Sequence, residues 1–344
     1  MDSIRKKKHK YFLIFLSLLV LLFATFILCV ILGSVEIEPK EVFQVIFSKD
    51  KESFDHGAII WNIRFPRVLA TIIGGSALAI AGLLLQIFFK NPIVEPYVLG
   101  ISSGATLFVA LIMLGGATLG AKFISPYLIF TSALIGSLIV TVIVVIFATK
   151  VKSVTTLLVI GIMVGYICGA ITKTLTAFAD SEKLLGFTLW TMGSFSGFTW
   201  RNVKVLLMMG LPALIASFFI VKPLNAFLMG EEYAKSMGVK IKPFRILIVL
   251  ISSILAASVT AFSGPVAFIG LAVPHISRLL FKTSDNRILI PGTVLLGAIV
   301  TSLCDLISRT IFAPTELPIG AVTSMFGAPI VIALILKNKK GASI

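Results

Sequence analysis

The amino-acid sequence predicts an all-α polytopic membrane protein of about ten transmembrane helices. Composition is the first reason: of 344 residues, 58% are hydrophobic and only 13% are charged. Soluble domains average roughly 45–50% apolar and about 25% charged, and the mean hydropathy here is +1.06. Segmentation is the second, because the apolar residues fall into long runs separated by short polar or proline-rich turns. In lipid, helices are nearly the only way for such segments to satisfy their backbone groups. The third reason is the placement of charge. The formal net charge of +15 invites a nucleic-acid reading, but with the N-terminus inside, 19 of the 30 basic residues fall on the inner side of the spans. Only 5 of the 15 acids do. That asymmetry is the positive-inside pattern of a membrane protein, and no nucleic-acid-binding patch is implied.

The chain, 1–344, reads as a single transmembrane domain with a basic cytoplasmic N-terminus over residues 1–10. The run Tyr11 to Leu32 is longer than the core of a signal peptide and lacks a small-residue cleavage site, so it is read as a retained first span. An acidic outer segment follows, Ser34 to Gly57, with Glu36, Glu38, Glu41, Glu52 and Asp55. The second span runs from Ile59 to about Phe89 and opens with RFPR, Arg64 to Arg67. Its small residues, Gly74, Gly75, Ala77, Ala79, Ala81 and Gly82, suit close helix packing in lipid. Pro92 and Pro96 forbid a continuous helix through Lys90 to Gly100, so this is an inner turn. The third span is expected over Leu99 to Leu114, the fourth over Phe123 to Ala148, and Lys150 and Lys152 mark the next inner turn. The fifth, Val154 to Ala177, carries Gly161, Gly165 and Gly169 in a row of small residues.

Asp180 to Trp200 is expected to be an outer segment, with Trp190 and Trp200 in the interfacial belt. The sixth span ends near Val221 and the seventh reaches Phe262. A short eighth segment, Gly264 to Arg278, is broken by prolines; the ninth covers Ile288 to Ser308 and the tenth Leu317 to Leu336. An even number of spans returns both basic termini to the cytoplasmic side. Between spans six and seven lies a polar island, Gly230 to Val239, within a cytoplasmic segment 222–245 rich in lysine. Its small and charged residues, closed by Gly238, suggest two short helical turns. A merely solvated loop is the alternative.

Several function classes are excluded. No GxxxxGK[ST] occurs, so the chain has no nucleotide site of that kind. Mid-span ionisable residues are nearly absent, which disfavours an ion-coupled secondary carrier, the runner-up class. Asp305 and Arg309 stand four apart and are expected to pair near the outer end. His275 is expected to be a structural hydrogen-bonder. Cys29, Cys168 and Cys304 lie far apart in apolar spans and read as small buried hydrophobes, with no metal-ligand or disulfide spacing. No constellation for enzymatic catalysis is present. The chain reads as a conformationally driven pore whose energy arrives from elsewhere.

The motifs then carry a resemblance. RFPR, the run from Gly74 to Ala105, GEEYAKSMGV over 230–239, GPVAFIGLAVPHISR over 264–278 and ELPIGAVTSMFGAPIVIALIL over 316–336 resemble the FecCD family. These are permease subunits of ATP-binding-cassette importers for iron-siderophores, haem and cobalamin. The resemblance implies a type II ABC importer permease fold and pairing of two permeases, as homo- or heterodimer. It also implies two cytoplasmic ATPase subunits carrying ATP and Mg²⁺, and an extracellular substrate-binding protein; this chain itself is expected to bind no cofactor or metal. By resemblance, Arg64, Arg67 and Arg309 face outward to meet glutamates of the binding protein, with interfacial anchoring as the alternative. Asn91 and Ile93, together with Val154 and Thr155, match the cytoplasmic gate; helix capping is the alternative for Asn91. Gly230, Glu231, Glu232, Ala234 and Gly238 match the ATPase-coupling element.

Overall fold

The computed structural model describes residues 2–48, 54–115, 125–151 and 153–341. Among these residues there are fourteen α-helices and no strand. Seven helices are long and apolar enough to cross a membrane, and three shorter apolar helices join them, together matching the ten expected spans. The long ones are α1 (Asp2–Ile31), α3 (Phe65–Phe88, entered through a wide turn over Ile59–Arg64), α5 (Pro126–Lys150), α6 (Val154–Ala177), α8 (Trp200–Phe219), α11 (Ile241–Ser263) and α13 (Asn286–Thr310). The shorter apolar stretches are α4 (Ile101–Met113), α12 (Ile269–Phe281) and Ile319–Ile332 within α14 (Ile319–Gly341). Four small helices complete the set: α2 (Pro39–Phe47), α7 (Ser181–Thr191), α9 (Val221–Leu228) and α10 (Glu231–Ser236).

Local chemistry sets many of the boundaries. Ser125, Ser153, Thr199 and Asp285 each accept a hydrogen bond from a backbone N–H in the first turn of the helix that follows, the N-cap role of short oxygen-bearing side chains. Pro66 has no N–H for the helical ladder, and the chain ahead of it widens into a π turn in which Phe65 N–H reaches Ile60. Pro274 likewise strips Gly270 of its helical partner inside α12. Gln86 of α3 repairs this, its Nε2 donating to the carbonyls of Gly270 and Leu271 at 3.2 Å while its Oε1 accepts from Arg278. His275 contacts the Leu271 carbonyl through Nδ1 at 3.0 Å, the structural role expected of it.

The centre of the bundle is α3, surrounded by α11, α12 and α13. Its small residues let neighbours approach to backbone contact: a Cβ on Gly82 would lie 1.8 Å from the Gly270 carbonyl oxygen, and one on Gly75 would lie 2.3 Å from that of Gly297. By contrast, α1, α6 and α8 expose rows of leucine, isoleucine, methionine and aromatic side chains, the surface a lipid environment tolerates. The acidic segment contributes α2, stapled where both the backbone N–H and the ring Nδ1 of His56 meet the Glu41 carboxylate. The imidazole holds that carboxyl below the usual carboxylate range. Its neighbour Glu52 lies outside the described residues.

The structure refines the expected boundaries in four places. The third span starts slightly later than expected: a 3₁₀ turn over Pro96–Leu99 precedes Gly100, whose φ of 77° ends it, and α4 runs from Ile101. The outer segment 180–200 carries a helix, α7, for which the sequence carries no expectation. Only one of the two short helices expected within Gly230–Val239 lies there, as α10. The other, α9, precedes the island, with Pro223 in its first turn, a position where the missing N–H costs no helical bond. The fourth span begins at Pro126 among the described residues, with Phe123 and the inner-turn residue Lys152 outside them.

Candidate functional site

The sequence-predicted residues gather into three places. At the end of the bundle where α3 begins and α13 finishes, Arg64, Arg67 and Arg309 come together with Asp305 and Glu316. Arg67 is the hub. Its Nε and Nη2 donate to Asp305 at 3.0–3.1 Å, and its Nη1 and Nη2 donate to Glu316 at 2.6 and 3.0 Å. Arg309 lies 3.7 Å from the same Asp305 carboxylate and donates to the Cys29 carbonyl of α1. Arg64 donates to the carbonyls of Val30, Ile31 and Val35. The expected Asp305–Arg309 pairing is present, but it is the weaker of the two contacts Asp305 makes.

This geometry corrects the expectation that the three arginines face outward. Arg64, Arg67 and Arg309 are 3%, 5% and 4% exposed, and their guanidiniums are spent on the chain's own carbonyls and carboxylates. Arg67 and Arg309 face the two carboxylates, and Arg64 directs its positive charge onto backbone carbonyl oxygens. What the cluster presents to its surroundings is Glu316, whose side chain is 31% exposed, beside Ile311 and Phe312, 58% and 61% exposed. Asp305 and Glu316 were not assigned a partner in Arg67 by sequence reasoning; residues 238 and 249 positions apart carry no spacing signal.

At the other end lies the Lys90–Glu95 turn. Asn91 Oδ1 accepts from the backbone N–H of Ile93 at 3.0 Å, so Asn91 fixes the turn itself and does not cap the next helix. Ile93 is 54% exposed and opens onto a cavity of about 480 Å³ with Glu95, Val98, Phe268, Leu271, Val331 and Ile332 along its walls. The following 3₁₀ turn packs against α6, where Leu99 and Val98 lie over Gly161. Val154 and Thr155 form the first turn of α6, capped by Ser153, with Thr155 exposed. The structure thus brings both expected gate elements to the same end of the bundle.

The third place is α9–α10, also at this end. Gly230 (φ 127°) starts α10 and Gly238 (φ 85°) stops it, both in backbone regions that favour glycine. At the C-terminus, Gly238 N–H reaches the Lys235 carbonyl and Val239 N–H the Ala234 carbonyl, each at 3.0 Å, the paired bonds of a Schellman stop. Ala234, one of the residues matched to the coupling element, is wholly buried against the bundle and is not part of the exposed face. Glu231 is held by Arg245 of α11, Nη2 to both carboxylate oxygens at 2.7 Å. Glu232, Tyr233, Lys235, Ser236 and Met237 form the exposed face. A six-residue helix bounded by two glycines and anchored to α11 on one face forms a compact, preorganised knob.

The comparisons with known proteins agree with this architecture. The model of the FecCD transport family matches residues 20–337. The hemin transport system permease protein HmuU of Yersinia pestis is 37% identical over 286 residues, covering 83% of this chain and 85% of that protein. The vitamin B12 import system permease protein BtuC of Salmonella paratyphi A is 36% identical over 337 residues, 98% of each. Among solved structures, one described as an inward-facing conformation of a metal-chelate type ABC transporter superposes with a TM-score of 0.83. It is 29% identical, and the match covers 94% of this chain and 99% of that one.

Proposed function

Because the chain belongs to the FecCD transport family, we propose that it is the permease subunit of an ATP-binding-cassette importer that brings an iron-siderophore, or a haem- or cobalamin-like chelate, into the cytoplasm. The observation that carries this reading is the α9–α10 knob. It is preorganised, charged on its exposed face, and joined to α8 and α11, so force applied to it reaches membrane-spanning helices directly. The sequence has no P-loop to generate that force, so two separate ATPase subunits supply it, one on each of two paired permeases. The basic inner loops put the knob and both termini in the cytoplasm. The binding protein then docks at the arginine end, meeting Glu316, Ile311 and Phe312 over a scaffold stiffened by Arg64, Arg67 and Arg309. The turns at Asn91–Ile93 and Val154–Thr155 form the cytoplasmic gate. The named relatives carry hemin and vitamin B12, both large metal chelates, which supports that cargo class.

The test is Gly238→Trp. At φ 85° any side chain is strained, by about 1–3 kcal/mol, yet the added Cβ would meet no atom within 4 Å, so the bundle itself is untouched. Membrane insertion stays normal, while co-purification of the ATPase and ATP-driven uptake are lost. Normal uptake by this variant would reduce α10 to a solvated loop.

A further inference from the structure

Beyond the ion pair to α11, the α9–α10 knob has a second anchor, made by a single side chain. Asn225 of α9 donates through Nδ2 to Asp285 Oδ1 at 2.7 Å. Its Oδ1 accepts twice from Asn286, from the backbone N–H at 2.9 Å and from Nδ2 at 2.7 Å. Asp285 Oδ1 also accepts from Arg287 N–H at 2.9 Å and so caps α13, and Asn286, the first residue of α13, is completely buried. The amide of Asn225 therefore grips the start of α13 from both sides. That helix has 25 residues, about 37 Å at 1.5 Å per residue, and its far end carries Asp305 and Arg309 of the arginine cluster. One helix is thus hydrogen-bonded at one end to the knob and at the other to the charged network holding α1, α3 and the chain before α14.

We propose that Asn225 is a positioning residue that transmits displacement of the α9–α10 knob to α13, and through it to the arginine end. The proposal rests on the reading of the knob as the ATPase dock. Glu231–Arg245 moves α11; Asn225 moves α13. The Asn225 bonds are multiply shared and Asn286 is buried, so at Asn286 they hold α9 to α13 in water-free surroundings, whereas the Glu231 side chain in the α11 anchor is 36% exposed.

The experiment uses the permease purified with its ATPase and reconstituted in bilayers. Spin labels are placed at Phe312→Cys, beyond the end of α13, and at Phe178→Cys, at the same end of α6; both positions are exposed, while the three native cysteines are buried. In the wild-type background, trapping with ATP and vanadate shifts the distance between the labels. In Asn225→Leu/Asn286→Leu, an apolar pair of similar size that removes both side-chain amides and leaves only the backbone N–H of residue 286 without its Asn225 acceptor, the ATPase still binds and hydrolyses ATP. The label distance no longer responds, and in the unlabelled double variant reconstituted with ATPase and binding protein, cargo moved per ATP falls about tenfold, within the range allosteric couplings span. A single Asn225→Ala that fails to fold does not affect this test, because the double variant is checked for folding by thermal unfolding. A nucleotide-induced shift of the same size in the double variant overturns the proposal, as does a wild type whose label distance does not move. Loss of ATPase binding in Gly238→Trp with normal coupling in the double Leu variant would overturn this proposal alone; normal uptake in Gly238→Trp would overturn the reading beneath it.

Discussion

Asp305 shows how much one buried side chain can be asked to hold. It faces Arg67 at 3.0 Å and Arg309 at 3.7 Å, with its side chain only 2% exposed. Removing one partner of a buried ion pair leaves an uncompensated charge and typically costs about 3–5 kcal/mol. Asp305→Ala should therefore lower the thermal unfolding midpoint of the detergent-solubilised protein sharply. Glu316→Gln should do so far less, because its side chain is already 31% exposed and water can replace it. Equal shifts for the two variants would mean that Arg67 does not discriminate between its partners as the geometry indicates. The sequence disclosed that these charges lie near a span end, and Asp305–Arg309 spacing on one helix face disclosed that contact. It did not disclose that the guanidiniums turn inward, because an arginine at a membrane interface looks the same whether its partner is in the chain or in another protein.

The helices themselves were largely legible, and the exceptions have physical causes. The span expected over Val154–Ala177 coincides with α6, since its apolar run is bounded on one side by Ser153 as a cap. Residues 181–191 mix Glu182 and Lys183 with leucines and an internal glycine, a pattern with neither a membrane span's hydropathy nor a clean amphipathic face. That mixture concealed α7. The small residues of the second span suit close packing, whereas the Gly161, Gly165 and Gly169 row fits either packing or the lining of a wide route. The structure separates the two kinds. At Gly82 a Cβ would penetrate the Gly270 backbone, whereas at Gly169 it would meet nothing within 4 Å. Gly82→Ala should abolish the yield of folded, monodisperse protein from membranes, and Gly169→Ala should leave it at the wild-type level. If both variants express alike, the α3–α12 contact is not the close approach described.

At the scale of the whole molecule, the sequence announced the all-helical membrane architecture and an approximate count of spans, because hydropathy and charge asymmetry are summed properties that survive local errors. What it could not announce is how the ends communicate, since that depends on Asn225 meeting Asn286, 61 residues away, and on Arg67 meeting Asp305. The resulting picture is a bundle with a rigid α3 core, a clamped knob at one end and a charged clasp at the other, joined by α13. Its central claim is that transport work enters through the knob from a separate ATPase. The most direct measurement is uptake of radiolabelled ferric siderophore, haem or cobalamin into proteoliposomes containing the permease, its ATPase and its binding protein, with ATP supplied on the α10 side. The account predicts that one of these chelates accumulates only when ATP and the ATPase are both present. Accumulation by the permease alone under an ion gradient would contradict it.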